Sequence, residues 1–158
     1  MPLKVLTIDD DSSMTELLGI LLRNNGMQVI SCNDGARGIE LARTENPDII
    51  ILDLVMPGTD GWEVCKALRT ITTAPIAVLS ALDDPVIISS ALDAGADDYL
   101  TKPVPSSVLL AHIKNLTRRH VVENDTSTMM RDVSALKPGT HQFKTGPRPV
   151  QTQAPSVQ

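Results

Sequence analysis

The run Ile49-Ile50-Ile51-Leu52 constrains the fold more than any other feature of this chain. It is apolar at four successive positions, so it cannot be a strand with one wet face. Pro47 closes the segment before it and Asp53 ends it, which makes the run too short for a buried helix or a membrane span. A strand covered on both faces belongs at the centre of a parallel sheet packed between helices. Further strand patterns occur at 4–8, 27–31, 75–80 and 97–101.

Helical spacing fills the intervals. Ser12 or Ser13 is expected to cap a first helix running to about Asn25, with Leu17, Leu18, Leu21 and Leu22 as its apolar stripe and Gly26 as its stop. A second helix spans 34–45 with Ile39, Leu41 and Ala42 inward. A third spans 61–71 with Val64, Ala67, Leu68 and Ile71 at i, i+3, i+4, i+7. The 53–60 loop between holds a Pro-Gly turn. A fourth helix spans 84–94, and Pro105 opens a fifth bearing Val108, Leu109, Ile113 and Leu116. Five such βα repeats, with no hairpin signal, predict an α/β fold: a doubly wound five-stranded parallel sheet with helices on both faces and right-handed crossovers.

Charge and thiols narrow the function class. Residues 1–119 carry ten Lys/Arg against sixteen Asp/Glu, a net of −6, so nonspecific nucleic-acid binding is not expected of this part. Cys32 and Cys65 are the only cysteines, in neither a C-x-x-C pair nor a metal-ligand spacing. They read as small hydrophobes in a reducing compartment, and the histidines as ordinary surface residues. No signal-peptide apolar region precedes Asp9 and no run approaches membrane-spanning length, so the expectation is a cytoplasmic protein with no membrane contact.

Ligands of open α/β sheets bind beyond the carboxyl ends of the strands. Asp9 and Asp10 follow the first predicted strand, Asp53 the third, Ser80 the fourth and Lys102 the fifth. Carboxylates brought together repel unless a cation joins them, and oxygen donors with no His or Cys nearby favour Mg²⁺. A carboxylate beside such a cation can attack a phosphoryl group, while an ammonium and a hydroxyl stabilise its oxygens. Taken singly each residue has a plainer reading: Asp9 to Asp11 as a helix cap, Lys102 as a surface charge, Ser80 as a turn residue, Tyr99 as a half-buried edge aromatic.

Four stretches carry a resemblance: Ile8-Asp9-Asp10-Asp11, the run from Asp48 through Asp53 to Gly61, Val78-Leu79-Ser80-Ala81, and Gly95-Ala96-Asp97-Asp98-Tyr99-Leu100-Thr101-Lys102-Pro103. In this order the chain resembles the response-regulator receivers of two-component signalling over residues 3–119. The resemblance implies the flavodoxin-like order 2-1-3-4-5, for which a chemotaxis receiver is itself a standard example. It implies Asp53 as phosphoacceptor, with a sensor histidine kinase or phosphotransfer protein as donor. Asp10, Asp53 and the backbone carbonyl of Val55 would ligate Mg²⁺, Asp9 would hold a metal-bound water, and Ser80 and Lys102 would bind phosphoryl oxygens. Tyr99 matches the aromatic that moves inward when the hydroxyl residue is drawn to the phosphate, and the Lys102-Pro103 bond is expected cis. In related DNA-binding regulators the face of helix four, strand five and helix five dimerises on phosphorylation. Here His112 stands where that face usually has Arg, and one of Val86, Ile87 and Ile88 is expected to be exposed.

Competing readings lack their residues. There is no G-x-x-x-x-G-K-[ST] or G-x-G-x-x-G loop and no nucleophile elbow. A haloacid-dehalogenase-type phosphotransferase needs a second acid two residues beyond its Asp, where this chain has Val55. No enzyme activity is therefore expected beyond slow self-catalysed phosphotransfer and dephosphorylation. Residues 120–158 have one Leu, one Phe, no Ile and four Pro, and read as a disordered polar tail or linker after a 1–119 domain. Its charge of +1, four Lys/Arg against three Asp/Glu, argues against a DNA-reaching tail, and a docking module without phosphorylation is the remaining alternative.

Overall fold

The computed structural model describes residues 2–135, with side chains through residue 130. Its strands are β1 (Lys4–Ile8), β2 (Gln28–Cys32), β3 (Ile49–Leu52), β4 (Val55–Met56), β5 (Thr59–Asp60), β6 (Ile76–Ser80) and β7 (Asp98–Thr101). Its helices are α1 (Ser12–Asn24), α2 (Gly35–Glu45), α3 (Gly61–Ile71), α4 (Pro85–Asp93) and α5 (Ser106–Ala135). The five longer strands form one parallel sheet in the order β2-β1-β3-β6-β7. That is the expected 2-1-3-4-5 once β4 and β5 are set aside. Those two form a small antiparallel hairpin around Pro57-Gly58 inside the loop after β3, where a plain turn was expected. Gly58 takes φ +72°, which lets two-residue strands pair across so tight a turn.

Each face of the sheet has its own core. Leu6, Ile8, Ile50, Leu52, Ile76 and Val78 pack with Leu41, Val64, Leu68 and Ala91 of α2, α3 and α4. Val5, Ile49, Ile51, Ala77 and Leu79 pack with Leu18, Leu22, Leu109 and Ile113 of α1 and α5. Alternate residues of β3 thus serve opposite cores, which is why its whole run is apolar. Burial of this aliphatic surface is the main force holding both helix layers to the sheet.

Four expectations need correcting. Asp11, not Ser12 or Ser13, caps α1, its carboxylate accepting from the N–H groups of Ser13 and Met14. A charged acceptor facing the positive helix end suits that place better than a hydroxyl. Leu17 is 62% exposed, because α1 buries the narrower stripe of Leu18 and Leu22 with Leu21 partly covered. His112 is not an ordinary surface residue: it is half-buried, and its Nδ1 meets Asp98 Oδ2 at 2.5 Å. Finally, α5 continues to Ala135, so residues 120–135 are helical rather than disordered. No Gly or Pro interrupts 106–135, and a helix already nucleated on the domain has only to propagate. The remainder of the expected tail, 136–158, lies outside the described residues.

Candidate functional site

β1 and β3 are neighbours in register, Ile8 opposite Leu52, so the residues that follow them emerge side by side. Asp53 N–H donates to Ile8 O at 2.9 Å, tying the two strand ends together. β6 lies on the other side of β3, with Ser80 fully buried at its end. Lys102 N–H donates to Ser80 O at 2.8 Å, which brings the end of β7 to the same edge. The Lys102-Pro103 peptide is cis, as expected. Four loops therefore converge because four parallel strands end together.

One carboxylate oxygen from each of Asp9, Asp10 and Asp53 lies within 4.8 Å of the others. Asp9 and Asp53 are buried, at 4% and 7% exposure, while Asp10 is exposed. Lys102 Nζ donates to Asp9 Oδ2 at 2.9 Å and to Asp53 Oδ2 at 3.4 Å. The second oxygen of each buried acid accepts a backbone N–H: Asp11 N to Asp9 Oδ1 at 3.0 Å, Val55 N to Asp53 Oδ1 at 3.1 Å. Burial pushes the Asp53 carboxyl above its ordinary value despite the Val55 N–H and the Lys102 charge, while Asp9 nearby adds to the rise. Burial alone would lower the Lys102 ammonium, but its bond to Asp9 and the charges of Asp53 and Asp9 outweigh that and hold it above its ordinary value.

Three carboxylates face one ammonium here, leaving the cluster negative, and its donors are all oxygens. That donor set fits a hard divalent cation such as Mg²⁺ and suits zinc or copper poorly. The Asp triplet divides its labour: Asp9 and Asp10 join the cluster, while Asp11 caps α1.

The chain belongs to the response regulator receiver family. The family model for the response regulator receiver domain matches residues 5–114. Response regulator MprA of Mycolicibacterium vanbaalenii is 38% identical over 95% of this chain and 67% of its own length. Transcriptional regulatory protein CseB of Streptomyces coelicolor is 40% identical over 73% of this chain and 49% of its own. The chain thus spans about half to two thirds of these relatives. The BeF3-activated N-terminal receiver domain of Klebsiella pneumoniae RstA superposes with a TM-score of 0.70 at 34% identity, over 73% of this chain and 98% of that one. Receivers are the phosphoacceptor switches of two-component response regulators.

Within this receiver the expected switch residues are linked through one loop. The Tyr99 hydroxyl donates to Leu82 O at 2.6 Å, and Leu82 N–H donates to Ser80 Oγ at 3.3 Å. Val55, expected for its carbonyl, is held at the start of β4 by its N–H bond to Asp53, with its side chain 49% exposed beside the site. Sequence reasoning missed Asn33, whose Nδ2 donates to Asp9 O at 2.7 Å and Thr15 Oγ1 at 3.2 Å. It steadies the backbone of the acid pair from the loop after β2, and no local pattern signals a contact 24 residues away. Among the described residues no helix is long and apolar enough to cross a membrane.

Proposed function

We propose that Asp53 is the phosphoacceptor of this receiver and that a histidine-phosphorylated protein, a sensor kinase or a phosphotransfer protein, is its donor. One observation carries the reading: the buried Asp53 carboxylate ends the central strand inside an oxygen cluster with Asp9 and Asp10 and faces the Lys102 ammonium. An Asp53 oxygen attacks phosphorus, the bond from phosphorus to the donor imidazole nitrogen breaks, and the phosphoryl group remains as an acyl phosphate. Lys102 neutralises charge on the transferring oxygens and Ser80 donates its hydroxyl to another. Asp10, Asp53 and the Val55 carbonyl would hold Mg²⁺, with Asp9 holding a water beside it, and the cation would add charge neutralisation. Drawing the Ser80 hydroxyl toward the phosphoryl group removes the acceptor of the Leu82 N–H. The loop then shifts, and Tyr99 is released from the Leu82 carbonyl to move inward.

The donor has a place to dock. An apolar groove of about 410 Å³ between α1 and the start of α5 is lined by Met14, Leu17, Leu21, Val104 and Leu109 and reaches Lys102. It adjoins the acidic mouth, where a donor must deliver its phosphohistidine, and the exposed Leu17 and Ile20 give it a rim. The absence of polar side chains at Val55 and Leu82 leaves attacking water unassisted, so the phosphorylated state is long-lived. The chain works in the cytoplasm, where such kinases present their phosphohistidine. The relative named as a transcriptional regulator is about twice as long as the matched region, and DNA binding is no part of the function proposed for residues 1–119.

Incubation with acetyl phosphate and Mg²⁺ followed by intact mass tests the reading. One phosphoryl group is expected, none with EDTA, and none for Asp53→Asn, whose amide is no nucleophile. Labelling of Asp53→Asn to the same extent would remove the assignment.

A further inference from the structure

The last part of α5 leaves the domain. Thr117 is buried and His120 half-buried, but every residue of 121–130 is exposed. At 1.5 Å per residue the stretch 121–135 projects roughly 22 Å. It is built largely of weak helix formers, including Val121, Val122, Asn124, Asp125, Thr126, Ser127 and Thr128, and it carries bare apolar side chains. A solvated helix of this composition is marginal in water and gains stability chiefly by covering an apolar stripe.

The projecting segment carries the beginnings of such a stripe at Val122 and Met129. Val108, His112, Asn115, Arg119, Val122, Thr126 and Met129 follow one another at spacings of 4, 3, 4, 3, 4 and 3 along α5. This is the repeat of a left-handed two-helix seam. Its domain-proximal half is polar apart from Val108 and borders β7 through the His112–Asp98 pair, whereas its projecting half is apolar at Val122 (59% exposed) and Met129 (71% exposed).

We propose that this projecting seam pairs with the same segment of a second copy, in parallel, as a short coiled coil that joins two receivers independently of phosphorylation. Flanking charges select both occupant and direction. Arg118 and Glu123 lie on opposite flanks of the seam, five residues apart, the spacing that places Arg118 of one copy against Glu123 of the other in a parallel pair. An antiparallel pairing that stacks Val122 on Thr126 would instead bring the two Glu123 carboxylates together, and the two Asp125 carboxylates as well. Thr126 in mid-seam, with a hydroxyl that can bond back to Val122 O as it does here at 2.9 Å, is tolerated without leaving an unpaired donor. The parallel arrangement also sets the two α4–β7–α5 faces on the same side, ready to approach one another.

Sedimentation of the full chain without a phosphodonor tests the proposal, with acetyl phosphate labelling as the control for folding. A concentration-dependent dimer is expected, and Val122→Glu with Met129→Glu should make it monomeric at the same concentration while labelling is unchanged. Arg118→Glu should weaken the dimer, and adding Glu123→Arg should restore it. Thr126→Cys should form an intermolecular disulfide under mild oxidation, since that position faces itself only in a parallel pair. A monomer throughout, a dimer that survives the Val122/Met129 double change, or a dimer in which Cys at 126 fails to cross-link would overturn it. None of these outcomes bears on Asp53, so failure here is separable from failure of the phosphoacceptor reading.

Discussion

Gly61 follows the Asp60 cap of α3 and leaves no room for a side chain. A Cβ there would sit 2.4 Å from Leu54 Cα and 2.5 Å from Leu54 O, both backbone atoms that cannot swing away. Gly61→Ala should therefore cost about 1–3 kcal/mol, read as a lower urea midpoint at unchanged slope. The buried thiols give a pH signature. Burial pushes Cys32 and Cys65 above the ordinary thiol value, and burial likewise raises Tyr99. A group whose folded value is raised contributes stability that is whole below its unfolded value and lost as pH rises through the folded one. Stability should then fall above about pH 8.5, the free-thiol value, and Cys32→Ala with Cys65→Ala should flatten the first part of that decline. An alkaline limb unchanged in the double variant would show that the thiols play no part. At this scale the sequence was legible where a residue ended a strand, as with Asp9, Asp53, Ser80 and Lys102. It was silent where a contact joined distant loops, as with Asn33, and it misjudged His112 because the Asp98 partner stands 14 residues away on another element.

Elements were readable in proportion to their length and apolar content. β3 was unmistakable, and the other long strands began within a residue of expectation, whereas β4 and β5, two residues each, lie below what any periodicity can register. The exposure of Val86 at 76% fits an α4 whose three successive apolar residues cannot all face the sheet. Leu17 was misread because its spacing matches that of Leu21, yet only one edge of α1 meets the sheet. The groove this leaves makes a prediction: Leu17→Ser with Ile20→Ser should slow phosphoryl transfer from a cognate phosphoprotein roughly tenfold or more, since losing a rim contact of 1.4 kcal/mol costs that factor. Labelling by acetyl phosphate, which needs no docking, should be unaffected. Equal loss with both donors would show damage to the site itself. The proposed long lifetime rests on two loop positions, Val55 and Leu82. Val55→Asn with Leu82→Glu offers polar groups to attacking water and should speed decay of the phosphorylated form by on the order of 100-fold after donor removal. A parent chain that decays within seconds, or a double variant no faster, would contradict the water-positioning argument.

For the molecule as a whole, the parallel sheet does two jobs with one set of strands. Its apolar middles hold two helix layers, and its carboxyl ends assemble a charged site that no single segment could build. The repeats made a parallel sheet legible, and its order came from the resemblance alone. The length of the last helix was not, because polar composition signals solvation and says nothing against helix: α5 runs on for sixteen residues, from 120 to 135, where a disordered tail was expected. The α4–β7–α5 face, with Asp98 already engaged by His112, should self-associate further when beryllofluoride mimics phosphorylation. In the Val122/Met129 double variant, which removes the helical seam, sedimentation with and without beryllofluoride isolates this face, and an unchanged monomer would rule out phosphorylation-driven pairing through it. The proposed function depends on which carboxylate carries the phosphoryl group. Phosphorylated chain treated with borohydride converts an acyl phosphate on Asp to homoserine, and digestion with mass spectrometry then locates the changed residue. Homoserine at position 53 alone is the predicted result; homoserine at position 9 or 10, or at none, would contradict it.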